Sequence, residues 1–183
     1  MRTVVVYTTH SGFTRTYAEW IAQELGADLF PLRTIGVDAL SGYDCVVYGG
    51  SLHAAGIAGM RRMRRLMARV PDRASARQLI VFGVGASPAR DSVIEEVRNA
   101  NIPEQDRDDV PFFYLRGGFD FSRLDPLHKV IMTLFRWKLE RMRAKTPDVK
   151  GMLDAYQRPA DYTKKESIRE IVAAVRARGE RPG

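Results

Sequence analysis

The stretch Thr8 to Thr14, reading Thr-Thr-His-Ser-Gly-Phe-Thr, constrains this chain more than any other. A short β-prone run, Thr3-Val4-Val5-Val6-Tyr7, leads into it, and apolar residues at Tyr17, Ala18, Ile21, Ala22 and Leu25 follow at helical spacing. A hydroxyl-rich turn between a buried strand and a helix N-terminus suits a phosphate group. The first helical N–H groups have no partner, the helix dipole favours an anion, and hydroxyls supply further donors. Gly12 lets the backbone approach a ligand closely. An ordinary capped helix start is the plain alternative, since Ser and Thr are favoured there in any case. The hydroxyls of Thr8, Thr9, Ser11 and Thr14, the glycine and the place directly after the first strand favour phosphate. Neither Gly-x-x-x-x-Gly-Lys-Ser/Thr nor Gly-x-Gly-x-x-Gly follows that strand.

Further strands alternate with helices. Ala27–Leu32 reads as a second strand broken by Pro31, and Cys45–Gly49 as a buried third strand ending in a loop from Gly50 to Gly56. A helix with Met60, Met63, Leu66, Met67 and Val70 on one face and Arg on the other comes next. Leu79–Phe82 is the fourth strand, ending in the loop Gly83–Ser87, and Phe112–Leu115 the fifth. Ser92 with Glu95, and Thr163 with Glu166, read as capping boxes for the helices that follow them. This alternation predicts an α/β three-layer sandwich with a five-stranded parallel sheet in the order 2-1-3-4-5. Its ligand site would lie at the carboxyl ends of the strands.

A chain of 183 residues fits a single domain over 1–183, carrying an insertion at about 117–162. No run is long and apolar enough to span a membrane, and the N-terminal apolar run is too short for a signal peptide. A lone Cys45 excludes an internal disulfide and Cys-rich metal sites. The expected location is the cytoplasm. Formal net charge is +7, and it is concentrated. Residues 61–77 hold seven Arg against Asp72, and residues 123–145 hold seven Lys or Arg against Asp125 and Glu140.

Thr9-His10-Ser11-Gly12-Phe13-Thr14, with Ala18 a turn further on, resembles the phosphate loop of the flavodoxin family. Gly49-Gly50-Ser51 and Gly83-Val84-Gly85 fall where that family places its two loops around the isoalloxazine ring. The resemblance implies bound FMN, its phosphate on Thr9, His10, Ser11, Gly12, Phe13 and Thr14. The ring would lie between Ser51-Leu52-His53 and Gly83-Val84-Gly85-Ala86. No catalytic side chain is named, because the flavin carries the electron chemistry.

Within the insertion, Leu124, Leu127, Val130, Ile131, Leu134, Phe135, Leu139 and Met142 recur at helical spacing among Lys129, Arg136, Lys138, Arg141, Arg143 and Lys145. This basic amphipathic helix either packs its stripe on the domain or docks on an anionic membrane through residues 124–145, with Trp137 as interfacial anchor. Such a helix, together with Leu115-Arg116-Gly117-Gly118 and Asp161-Tyr162-Thr163, resembles the bacterial menaquinone-dependent protoporphyrinogen IX dehydrogenases. That implies an oxidoreductase at the inner face of the cell membrane, with a quinone or a small-molecule electron donor as partner. The other class of function is an electron carrier or binding module docking to an acidic protein. No aromatic residues interleave the Arg-rich segment, so nucleic acid is not an expected partner. His10, His53 and His128 lack metal-ligand spacing, so no metal site is read from the sequence. No Gly-x-Ser-x-Gly elbow surrounds Ser11 or Ser51, and Asp120 reads as a turn or cap residue.

Overall fold

A computed structural model describes residues 1–70, 78–124, 126–141, 153 and 159–180. The sheet follows from five runs of apolar, mostly β-branched and aromatic residues: β1 (Thr3–Thr8), β2 (Asp28–Pro31), β3 (Cys45–His53), β5 (Gln78–Gly85) and β6 (Phe112–Arg116). They pair in parallel in the order β2-β1-β3-β5-β6, which is the predicted 2-1-3-4-5. A short β4 (Gly56–Ile57) adds an antiparallel edge to the tip of β3.

Side chains alternate across the sheet, so each central strand feeds both faces. Val5, Val47, Ile80 and Phe82 pack on one face with α1 (Phe13–Leu25) and α6 (Arg169–Gly179). Val4, Val6, Val46, Tyr48 and Val81 pack on the other face. There they meet α2 (Val37–Leu40), α3 (Met60–Arg69) and α4 (Asp91–Asn101). On α3, Met60 and Met63 are buried while Arg61, Arg62, Arg64, Arg65 and Arg69 face solvent.

Four local expectations need correction. The segment Gly50–His53 is strand, because Gly50 still pairs with Thr8, Ser51 with Val84, and Leu52 with Ile57. Gly50 is small for packing: a Cβ there would come within 2.7 Å of the Ala58 carbonyl. Gly83-Val84-Gly85 is likewise strand, paired to Tyr114, Leu115 and Arg116. The Ser92–Glu95 box does not form, since the N–H groups of Val93 and Ile94 already bond back to the Arg90 carbonyl. Thr163 does not start a helix; its N–H and hydroxyl both donate to Asp161 Oδ1, at 2.8 Å each. The chain reaches α6 through a 3₁₀ turn at Lys165–Ile168.

The insertion leaves β6 through β7 (Gly118–Phe119) and returns through β8 (Ala160–Asp161), and these two strands pair with each other antiparallel. The Tyr162 N–H donates to the Gly117 carbonyl at 3.0 Å. Tyr17, fully buried on α1, donates its hydroxyl to the Arg116 carbonyl at 2.7 Å and accepts from the Lys164 N–H at 3.2 Å. Between these clamped ends runs α5 (Pro126–Arg141). Its apolar residues form two faces, not one stripe. Leu139 is buried, with His128, Met132 and Phe135 half-buried on the same side, while Val130, Ile131, Leu134 and Trp137 are 50–61% exposed. Asp72, Arg73, Arg77, Asp125, Met142, Arg143 and Lys145 lie outside the described residues.

Candidate functional site at the carboxyl ends of the sheet

The parallel registers bring Thr8, Ser51, Gly85 and Arg116 to one edge of the sheet. Gly12 turns the chain into α1 at φ +92°, a conformation that glycine adopts without strain. Its N–H donates to Thr9 Oγ1 at 3.0 Å, and its carbonyl accepts from the Thr16 N–H at 3.0 Å. No side chain caps α1, and its first turn carries no acid. The N-terminal donors and the positive end of the dipole are therefore left for an anion.

The loop is braced from beneath. Thr14 is fully buried, with its Oγ1 2.9 Å from Ser51 Oγ, and the His10 N–H donates to the same Ser51 oxygen at 3.4 Å. One serine thus ties the turn after β1 to the end of β3. Thr8 Oγ1 lies 3.0 Å from the Tyr48 hydroxyl, which donates to the Ala58 carbonyl at 2.5 Å. Burial pushes the Tyr48 phenol up to about 12. Arg15 and Arg33 line a hollow of about 290 Å³ beside Thr8 and Thr9, adding positive charge to this end.

The other end of the crevice is narrower. His10, Ser11 and Phe13 line it from the first turn, Ser51, Leu52 and His53 from β3, and Val84, Gly85 and Ala86 from β5. Thr9, Gly12 and Thr14 sit just behind this lining, in the turn and under it. Gly83 stands against Leu52 and Phe112 on the packed side of the sheet. Gly85 is a packing position too: a Cβ there would come 2.5 Å from the Tyr114 hydroxyl. Sequence reasoning missed the roof of the crevice, made by Gly118, Phe119, Leu124, His128 and Met132 of the insertion. His128 and Met132 share a face of α5 with Phe135 and Leu139, and only the return of α5 over the crevice gives that face its place. With α5 seated, the cavity is about 150 Å³, below the ~300–1,000 Å³ usual for cofactor pockets. A larger hollow of about 620 Å³ between α1 and α6 has a charged rim and lies away from the strand ends.

Three histidines that the sequence keeps apart meet here. The ring centroids of His10 and His128 are 3.9 Å apart, those of His53 and His128 4.9 Å, and those of His10 and His53 5.0 Å. The absence of ligand spacing along the chain therefore says nothing about their arrangement in the fold. Asp120 has the expected turn role, accepting from the Ser122 N–H at 2.9 Å.

An open α/β sheet with an anion-ready turn after its first strand defines a class of mononucleotide-binding domains. The Flavodoxin domain family matches residues 4–146, and the chain belongs to that family. No curated protein sequence matches the chain. Among solved structures, the Trp repressor binding protein from Bacillus subtilis is similar at 17% identity and a TM-score of 0.47, covering 78% of this chain and 99% of that one. Oxidised Flavodoxin 1 from Bacillus cereus is similar at 13% identity and a TM-score of 0.46, covering 75% and 94%. A flavodoxin from the domain Archaea gives 19% identity and a TM-score of 0.41, covering 62% and 85%.

FMN is the cofactor of the flavodoxin domain, and the phosphate end of this crevice fits it. The uncapped α1 terminus and the open space around Gly12 leave donors and room for a phosphate dianion, with Thr9 and Ser11 in the same turn. FMN-linked electron transfer or oxidoreduction is the activity such a domain implies.

Proposed function

We propose that this protein is an FMN-dependent oxidoreductase working at an anionic membrane surface, taking electrons from a reduced substrate and delivering them to a membrane quinone. Protoporphyrinogen IX is the candidate substrate, on the likeness of the insertion to the menaquinone-dependent dehydrogenases. FMN, when bound, supplies the redox chemistry; the chain supplies binding, orientation and exclusion of water. Thr9, Ser11 and Gly12 hold the phosphate, and Thr14 braces the turn from beneath through Ser51. Ser51, Leu52, His53 and Val84, Gly85, Ala86 border the ring, and α5 roofs it.

The observation that carries this reading is the two-sidedness of α5. One side reaches into the crevice through His128 and Met132. The other exposes Val130, Ile131, Leu134 and Trp137 beside the exposed Arg136, Lys138 and Arg141. Arg141 stacks over the Trp137 ring at 3.4 Å, a basic head on an amphipathic ring. Apolar residues flanked by basic ones suit the interface of an anionic bilayer, where each Lys or Arg contributes about 1 kcal/mol and the apolar part resists salt. No described helix is long and apolar enough to cross a membrane, so association would be peripheral. A single helix would then separate the electron-carrying crevice from the lipid that holds quinone.

Co-sedimentation with neutral and anionic liposomes across a salt series tests the membrane part. Binding to anionic vesicles that weakens with salt is the expected result. No binding even at low salt would overturn it. Anaerobic oxidation of protoporphyrinogen with a menaquinone analogue tests the chemistry. The second reading, an electron carrier for an acidic protein, is favoured by the five exposed Arg of α3. It predicts activity through a soluble acidic protein and indifference to vesicles.

A further inference from the structure

His10 lies in the turn between β1 and α1, His53 ends β3, and His128 stands in the first turn of α5. One ring nitrogen from each lies within 4.8 Å of the others. No Cys, Asp or Glu joins them in such a group among the described residues. Three nitrogens on one tetrahedral ion, at 2.0–2.1 Å from it, stand about 3.4 Å apart. Rotation of the imidazoles about χ2, a broad torsion, covers the remaining distance.

The backbone beneath the rings is fixed from three directions. His10 is tethered by its N–H to Ser51 Oγ at 3.4 Å. His53 pairs with Gly56 in the β3–β4 hairpin, beside Ala54 at φ +50°. His128 is carried by α5, inside an insertion whose two ends are hydrogen-bonded to each other at Gly117 and Tyr162. Imidazole nitrogens select transition metals such as Zn²⁺, Ni²⁺ or Cu²⁺, whereas Mg²⁺ and Ca²⁺ require oxygen ligands. The cavity of about 150 Å³ lined by the same histidines leaves room at a fourth coordination position for water or a ligand atom.

We propose that His10, His53 and His128 form a three-histidine site for a divalent transition metal ion, which ties α5 to the carboxyl ends of the sheet. The proposal requires neither the flavin nor the membrane reading; since His53 and α5 also border the flavin ring in that reading, the ion and the ring would compete for one cavity. Because the ligands come from elements far apart in sequence, the site exists only in the folded chain, and the ion stabilises that chain by mass action.

Isothermal titration of ZnCl₂ into the full chain, dialysed against a chelator and with no flavin added, is the test. One ion per chain is expected, together with a rise in Tm of about 5–10 °C at hundredfold excess over Kd. His53→Gln and His128→Gln should each weaken Zn²⁺ by at least about tenfold and remove the rise in Tm. Mg²⁺ should do neither. His53 is exposed, so its replacement leaves packing intact and decides the matter alone if His128→Gln does not fold. Absence of stoichiometric Zn²⁺ binding, or equal affinity in the wild type and His53→Gln, would overturn the proposal.

Discussion

The two ends of the crevice are built on different principles. At the phosphate end the donors are backbone N–H groups and short hydroxyl side chains, fixed by Gly12, by the Thr14–Ser51 contact and by Tyr48 below. At the ring end the walls are side chains of three separate elements, and the roof belongs to a helix inserted after the sheet was complete. The first end follows from any strand-turn-helix of this composition. The second depends on how α5 is seated, and α5 carries the residues that distinguish this chain from a bare domain. On the proposed reading, affinity for the cofactor would be anchored at one end, with access and partner choice set at the other.

Replacing both Ser11 and Thr14 by Ala should break the anchored end. One hydrogen bond to a charged group, worth about 1.5–3 kcal/mol, is lost together with the Thr14–Ser51 brace beneath the turn, so FMN affinity should fall at least about tenfold in a fluorescence titration. Alkaline unfolding probes the support beneath that end. Burial raises Tyr48 from 10.0 to about 12 and the Cys45 thiol from 9.0 to about 11. The unfolded chain releases these protons first, so stability present below about pH 9 should be lost as pH rises towards 12. Tyr48 alone contributes about 2–3 kcal/mol to that loss. Denaturant midpoints from pH 8 to 11 check it, and Tyr48→Phe should flatten the upper part of the curve.

At the other end, Ile131→Glu with Leu134→Glu places two acids on the outward face of α5. Affinity for anionic vesicles should drop about tenfold or more, with FMN binding unchanged. The smallest effect is expected from Met132→Ala. Removing this half-buried roof side chain widens the ring end, so FMN should bind a few-fold tighter in the same titration, at little cost in stability. Unchanged affinity would mean that the roof does not control access.

What the sequence revealed and what it hid divide along physical lines. Val4-Val5-Val6 and Cys45-Val46-Val47 read as strands because burial on both faces removes polar residues, a local signature. Sheet order followed from the alternation with helices. Strand ends did not, since Gly50–His53 and Gly83–Gly85 look like loops until their partners across the sheet are known. The Ser92–Glu95 and Thr163–Glu166 pairs matched a capping pattern that other local hydrogen bonds displaced. The hydroxyl-rich turn into α1 was legible because it is one contiguous stretch. The histidine cluster was not, because its members are 43 and 75 residues apart and only the closure of the insertion joins them.

That closure has a consequence for how such a chain can change. Gly117 and Tyr162 are hydrogen-bonded neighbours, and Tyr17 grips the backbone on both sides of the gap. The sheet therefore meets everything between these two residues as a loop whose ends already touch. Closing a loop twice as long costs only about 0.6 kcal/mol more, so length and content inside the clamp are nearly free to vary. The roof behaves as an exchangeable cassette. Recombination at positions 117 and 162 should transplant it, with its exposed apolar face and His128, onto another sheet of this type without disturbing either core.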